Sequence, residues 1–122
     1  MSDQTETIAE LLARALRFRD ERSWGGFHNA KDLVLALAAE VGELCELVLW
    51  KDPAQLETEL REEPARGRFA DEIADVQNLL LLLVDAVGLD LSDAFAKKLE
   101  ANAEKYPVAK ARGSARKYTE LG

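Results

Sequence analysis

With 122 residues and a formal net charge of −7, the chain is sized for one domain with a modest core of its own. Its acidity counts against a nucleic-acid polymer as partner, because long DNA or RNA is held by many Lys and Arg contacts to phosphate. A single nucleotide is not excluded, since a bound metal and a few local cations can set the field of one pocket. The lone cysteine, Cys45, excludes an intrachain disulfide framework.

Taken in order, Thr5 to about Arg22 carries Ile8, Leu11, Leu12, Ala15, Leu16 and Phe18 at the spacing of an amphipathic helix. This opening is charged and amphipathic, unlike an apolar secretory leader, so the expected location is cytoplasmic. Trp24-Gly-Gly-Phe-His28 breaks the helix with two glycines whose backbone can approach a ligand closely. A second helix runs from about Ala30 to Trp50 and stops before Asp52-Pro53. Cys45, set among Leu44, Leu47 and Val48, reads as a buried thiol.

Gln55 to Glu62 suggests a short helix, and Pro64 to Gly67 a turn. The third long helix spans about Phe69 to Val87, with Gly88 as its C-terminal cap. Leu79 to Leu83 are apolar on every side, which predicts a buried helix and, in so small a chain, a second subunit to bury it. The stretch is too short to span a bilayer, and no membrane partner is expected. The last helix begins near Ser92 and ends before Tyr106-Pro107. Residues 108–122 form an expected non-helical basic tail with Lys110, Arg112, Arg116 and Lys117, either solvated or folded over an anion or a neighbouring subunit. No strand-like alternation occurs, so the fold class is all-α, a bundle of four to five helices.

Two pairs of carboxylates carry the chemistry. Glu40 and Glu43 lie three apart in one apolar run, Glu72 and Asp75 three apart in another. At that spacing each pair shares a helix face, its members about 60° apart. Acids so close to apolar faces are costly unless a positive charge offsets them, and a divalent cation is the natural candidate. All-oxygen ligation points to Mg2+, with Mn2+ as substitute, and away from zinc or copper. A di-iron site would want Glu-x-x-His pairs, and the only histidine, His28, lies outside both helices. Mg2+ keeps positions open for water and phosphate oxygens, so a phosphate-bearing substrate is implied. Glu46 extends the first series as a reserve ligand, a general base or rim charge.

Trp24, Phe27 and Trp50 sit at helix ends, where they either pack at a core or interface or stack on a nucleobase. His28 could bond a base or a phosphate. Lys98 and Asn102, four apart on the last helix, and Lys105 beyond them are either surface residues or contacts to a triphosphate.

At these residues the chain resembles the all-α nucleoside triphosphate pyrophosphohydrolases of the MazG-like superfamily, marked by Glu-x-x-Glu followed at a distance by Glu-x-x-Asp. Within it, Glu21-Arg-Ser-Trp-Gly-Gly-Phe-His28, Lys98-x-x-x-Asn102, Lys105-Tyr-Pro107 and Ser114-Ala-Arg-Lys-Tyr-Thr-Glu-Leu121 are similar to the dCTP pyrophosphatases. The resemblance implies cleavage of a nucleoside triphosphate between its α- and β-phosphates, with Glu40, Glu43, Glu72 and Asp75 as catalytic metal ligands. It further implies nucleoside contacts from Trp24 to His28 and Trp50, a homodimer or homotetramer, and a house-cleaning role in the nucleotide pool. Ala15 and Leu79 stand where dCTP-active members carry a histidine and a tyrosine, so base preference is the part left open. The alternatives are the same fold acting on dUTP or noncanonical triphosphates, and a noncatalytic nucleotide-sensing oligomer.

Overall fold

The computed structural model describes residues 1–122, and all of its regular structure is helical. Six α-helices follow one another: α1 (Ile8–Glu21), α2 (Ala30–Val48), α3 (Pro53–Glu59), α4 (Ala65–Val87), α5 (Leu91–Lys105) and α6 (Val108–Ala111). Short 3-10 turns occupy Gly25–Phe27 and Tyr118–Glu120. The chain divides into two compact units, Met1–Gly88 and Leu89–Gly122, where composition suggests one domain. No helix is long and apolar enough to cross a membrane.

The helix ends follow local capping chemistry, which moves several of the expected boundaries. α1 begins at Ile8, not Thr5, because Thr7-Ile-Ala-Glu10 closes a capping box. The Thr7 N–H donates to Glu10 Oε2 at 2.7 Å and the Glu10 N–H to Thr7 Oγ1 at 3.2 Å. Asn29 caps α2 by accepting the Asp32 N–H at 2.9 Å. Asp52 caps α3 with Pro53 as its first residue, two positions earlier than expected. α4 starts at Ala65, ahead of Phe69, because the Glu63 carboxylate accepts the Gly67 N–H at 2.9 Å and secures the first turn. Gly88 ends α4 at φ +71°, the left-handed cap that the sequence predicts.

Within the first unit, α4 packs against α2 and, less extensively, against α1. Leu33 of α2 and Leu81, Leu82 and Val84 of α4 are the buried residues, each worth about 1.5–3 kcal/mol on removal from water. Leu79, Leu80 and Leu83 are half-buried. Many large apolar side chains stay exposed, among them Val34, Leu35, Val41 and Ile73.

In the second unit, Asp90 and not Ser92 caps α5, accepting the Asp93 N–H at 2.9 Å. The tail departs from its expected helix-free form: α6 and the Tyr118–Glu120 turn are each single turns, too short to register as periodicity. Tyr118 meets Tyr106 edge to face, with ring centroids 6.0 Å apart.

Candidate metal centre and its flanking residues

The side of α2 turned from water reads Leu33, Ala36, Leu37, Glu40, Leu44, Leu47 and Val48, a helical stripe interrupted by one acid. On α4, Phe69, Glu72, Val76, Leu79, Leu80 and Leu83 form a similar stripe, again with one acid. Glu40 and Glu72 therefore stand at positions where a bundle ordinarily places leucine. Packing α2 on α4 brings them together with Glu43, one oxygen from each of the three lying within 4.8 Å of the others.

The electrostatics show the strain of that arrangement. Glu40 Oε2 and Glu72 Oε2 are buried and meet no hydrogen-bond donor. A hydrogen bond with Glu43, reinforced by partial burial and by the charges of Glu43 and Asp75, raises the Glu40 carboxyl from 4.5 to about 7. Burial raises Glu72 as well, and Glu43 and Asp75 add to the effect. Two orphaned carboxylate oxygens beside a third acid fit a divalent cation with oxygen ligands, which would satisfy both and remove the repulsion. Asp75 is exposed and lies outside the 4.8 Å group, although its charge acts on both Glu40 and Glu72.

The aromatic segments are held by specific contacts. Arg19 was not singled out by sequence patterning, yet its carbonyl accepts the Trp24 N–H at 3.1 Å and its guanidinium reaches Asp85 of α4 at 3.7 Å. It thus ties the Trp24 turn to the bundle; an Arg-Asp step at a helix end is the sole hint in the sequence. Trp24 meets Phe18 edge to face at 5.9 Å, and Phe27 projects into solvent. His28 is half-buried, and its Nδ1 is out of water with no partner. Trp50 is 92% exposed and has left the helix, with φ +64°, a conformation that a bulky residue seldom adopts. Just after it, Lys51 Nζ bonds Glu59 Oε2 at 2.8 Å and fixes the turn into α3.

The MazG-like family model matches residues 35–121. The chain belongs to the MazG-like family. Its relatives include the protein named dCTP pyrophosphatase 1 of Rattus norvegicus, 37% identical over 115 residues that cover 94% of this chain and 68% of that one. The Homo sapiens protein of the same name is 36% identical over the same shares. A solved structure described as a pyrophosphatase from Archaeoglobus fulgidus superposes with a TM-score of 0.75 at 34% identity, covering 88% of this chain and 98% of that one.

In this MazG-like chain the remaining candidates, Lys98, Asn102 and Lys105, lie on α5 of the second unit. Lys98 is exposed and Asn102 half-buried. The Lys105 ammonium stands 4.9 Å over the Tyr118 ring, a cation–π contact that holds the tail. Cys45 is exposed in the single chain, contrary to the buried thiol expected. It is turned about 100° from Leu44 and so falls off the stripe that faces α4.

Proposed function

We propose that this MazG-like enzyme, a nucleoside triphosphate diphosphatase, depends on Mg2+ and cleaves dCTP or a related pyrimidine deoxynucleotide between its α- and β-phosphates. The products are the nucleoside monophosphate and pyrophosphate. The observation that carries the metal reading is the pair of orphaned oxygens on Glu40 and Glu72, with Glu43 completing the cluster. Names of relatives at 36–37% identity support the nucleotide reading.

Glu40, Glu43 and Glu72 would hold the cation, with Asp75 joining from the adjacent turn of α4. When bound, Mg2+ offsets charge on phosphate oxygens and acidifies a nearby water. The water oxygen bonds to the α-phosphorus, the bond from that phosphorus to the bridging oxygen breaks, and the bridging oxygen leaves as part of pyrophosphate. The proton released from water passes to a carboxylate of the cluster. Trp24, Phe27 and Trp50 offer aromatic faces to the base, and His28 offers a ring nitrogen without a partner. Lys98 and Asn102 are assigned to the phosphates. Lys105 supports the tail through Tyr118 and contributes charge there.

The large apolar side chains left exposed on α2 and α4, among them Val34, Leu35, Val41 and Ile73, support assembly as a homodimer or homotetramer. A single domain running through both units is supported by the family match across 35–121.

A second reading, with the same chemistry and a broader choice of base, is favoured by Leu79. It follows Asp75 by one turn and presents no hydrogen-bonding group to a substrate. Incubation with a panel of canonical and modified triphosphates, with and without Mg2+, tests both readings. Mg2+-dependent monophosphate and pyrophosphate from dCTP ahead of the others supports the first, and a flat ranking supports the second. Binding without turnover would instead indicate a nucleotide-sensing oligomer.

A further inference from the structure

The charges of the two units differ in sign. Residues 1–88 hold nine Lys and Arg against eighteen Asp and Glu, a net −9; residues 89–122 hold seven against five, a net +2. Within the second unit the cations gather in the tail. Lys110, Arg112, Arg116 and Lys117 form no ion pair, although acidic groups outnumber basic ones in the chain.

This segment has a defined shape. Tyr118 packs on Tyr106 and under Lys105, which returns the end of the tail to α5. Gly113, at φ +72°, turns the chain between Arg112 and Ser114, a conformation suited to glycine. The turn leaves an open hollow of about 790 Å³ whose lining includes Lys110, Ser114, Arg116, Glu120, Leu121 and Gly122. Ser114 Oγ accepts the Arg116 N–H at 3.2 Å, so its own O–H remains available as a donor. Glu120 shares the hollow but lies within ion-pair distance of neither cation.

We propose that this tail hollow is a diphosphate-binding site: Lys110, Arg116 and the Ser114 hydroxyl take pyrophosphate, the leaving group of the proposed reaction. An ammonium, a guanidinium and a hydroxyl suit an anion with several acceptor oxygens, and charge-assisted bonds of this kind are stronger than neutral ones. Pyrophosphate offers the two cations more charge and more acceptor oxygens than orthophosphate does. The assignment rests on the reading of the substrate as a nucleoside triphosphate, but the site itself does not depend on the carboxylates.

Titration calorimetry of the full chain with sodium pyrophosphate in excess chelator tests it, because chelation removes any route through a metal at the carboxylates. Wild-type protein and Glu43→Gln are expected to bind pyrophosphate alike, more tightly than orthophosphate. The double variant Lys110→Gln/Arg116→Gln, with helical circular dichroism unchanged, is expected to bind at least tenfold more weakly. Lys110→Arg/Arg116→Lys, which keeps both charges, should restore most of the affinity. Equal pyrophosphate affinity in wild type and double Gln variant, or binding that needs Mg2+ and disappears in Glu43→Gln, overturns the proposal. If pyrophosphate binds as expected but no triphosphate is hydrolysed, the tail site stands and the substrate reading falls.

Discussion

Glu40 of α2 and Glu72 of α4 each turn a carboxylate oxygen into a space where it meets neither water nor a donor, with the Glu43 carboxylate close to both. The packing of two helices thus creates a local excess of negative charge that the chain does not itself neutralise. The consequences for pH, turnover and stability can be measured.

The first concerns pH in chelator. Glu40 is raised from 4.5 to about 7, so the folded chain holds a proton that the unfolded chain has released. The stability this provides is fully present below pH 4.5 and is lost as pH rises through 7. Glu59 shifts downward through its bond with Lys51, so its contribution is present above 4.5 and is lost in more acidic solution, outside that window. Thermal unfolding in chelator should therefore show Tm falling between pH 4.5 and 7, and Mg2+ should reverse the fall while releasing protons. A Tm that climbs steadily across this range in chelator would contradict the account.

Glu43→Gln preserves volume and removes one ligand charge. Turnover should drop by about two orders of magnitude or more, while helical circular dichroism is retained. Near-normal kcat in this variant would remove Glu43 from the metal set.

Trp50 combines near-complete exposure with a left-handed backbone. Trp50→Gly relieves a conformation that costs a non-glycine residue about 1 kcal/mol, so stability should hold or rise slightly. Nucleotide affinity should fall about tenfold, as expected on losing one base–aromatic stack. Sedimentation run in parallel separates this from an interface role: unchanged affinity with a smaller assembly would place Trp50 between subunits.

Leu81 is among the four buried residues, only 3% exposed. Leu81→Ala should destabilise the fold by about 2–5 kcal/mol in urea unfolding. With so few buried residues to share the loss, the variant should be partly unfolded under conditions where the parent is folded.

The sequence exposed those features that depend on helical phase alone. Glu40 and Glu72 stand within apolar stripes, and three-residue spacing puts Glu43 beside Glu40, so most of the cluster could be read before any packing was known. The cap at Gly88 followed equally from local chemistry. Asp75 shares the same spacing, yet its distance from the cluster depends on how α4 rolls against α2, which spacing does not encode. Cys45 was misplaced for a related reason: α2 is apolar on several faces, and only packing selects the one that meets α4. Thr7 and Asp90 were open to a stricter reading of capping patterns. Arg19 was not, since its tie to Asp85 spans two helices distant in sequence.

The two half-buried acids also set a direction for drift. Replacing Glu40 or Glu72 by leucine would complete an apolar stripe and relieve an unpaired charge, so each loss of function there should make the metal-free fold more stable. A copy of this chain released from selection for catalysis would have no physical reason to keep either residue. Retention of both acids across a lineage is therefore a record of continued use.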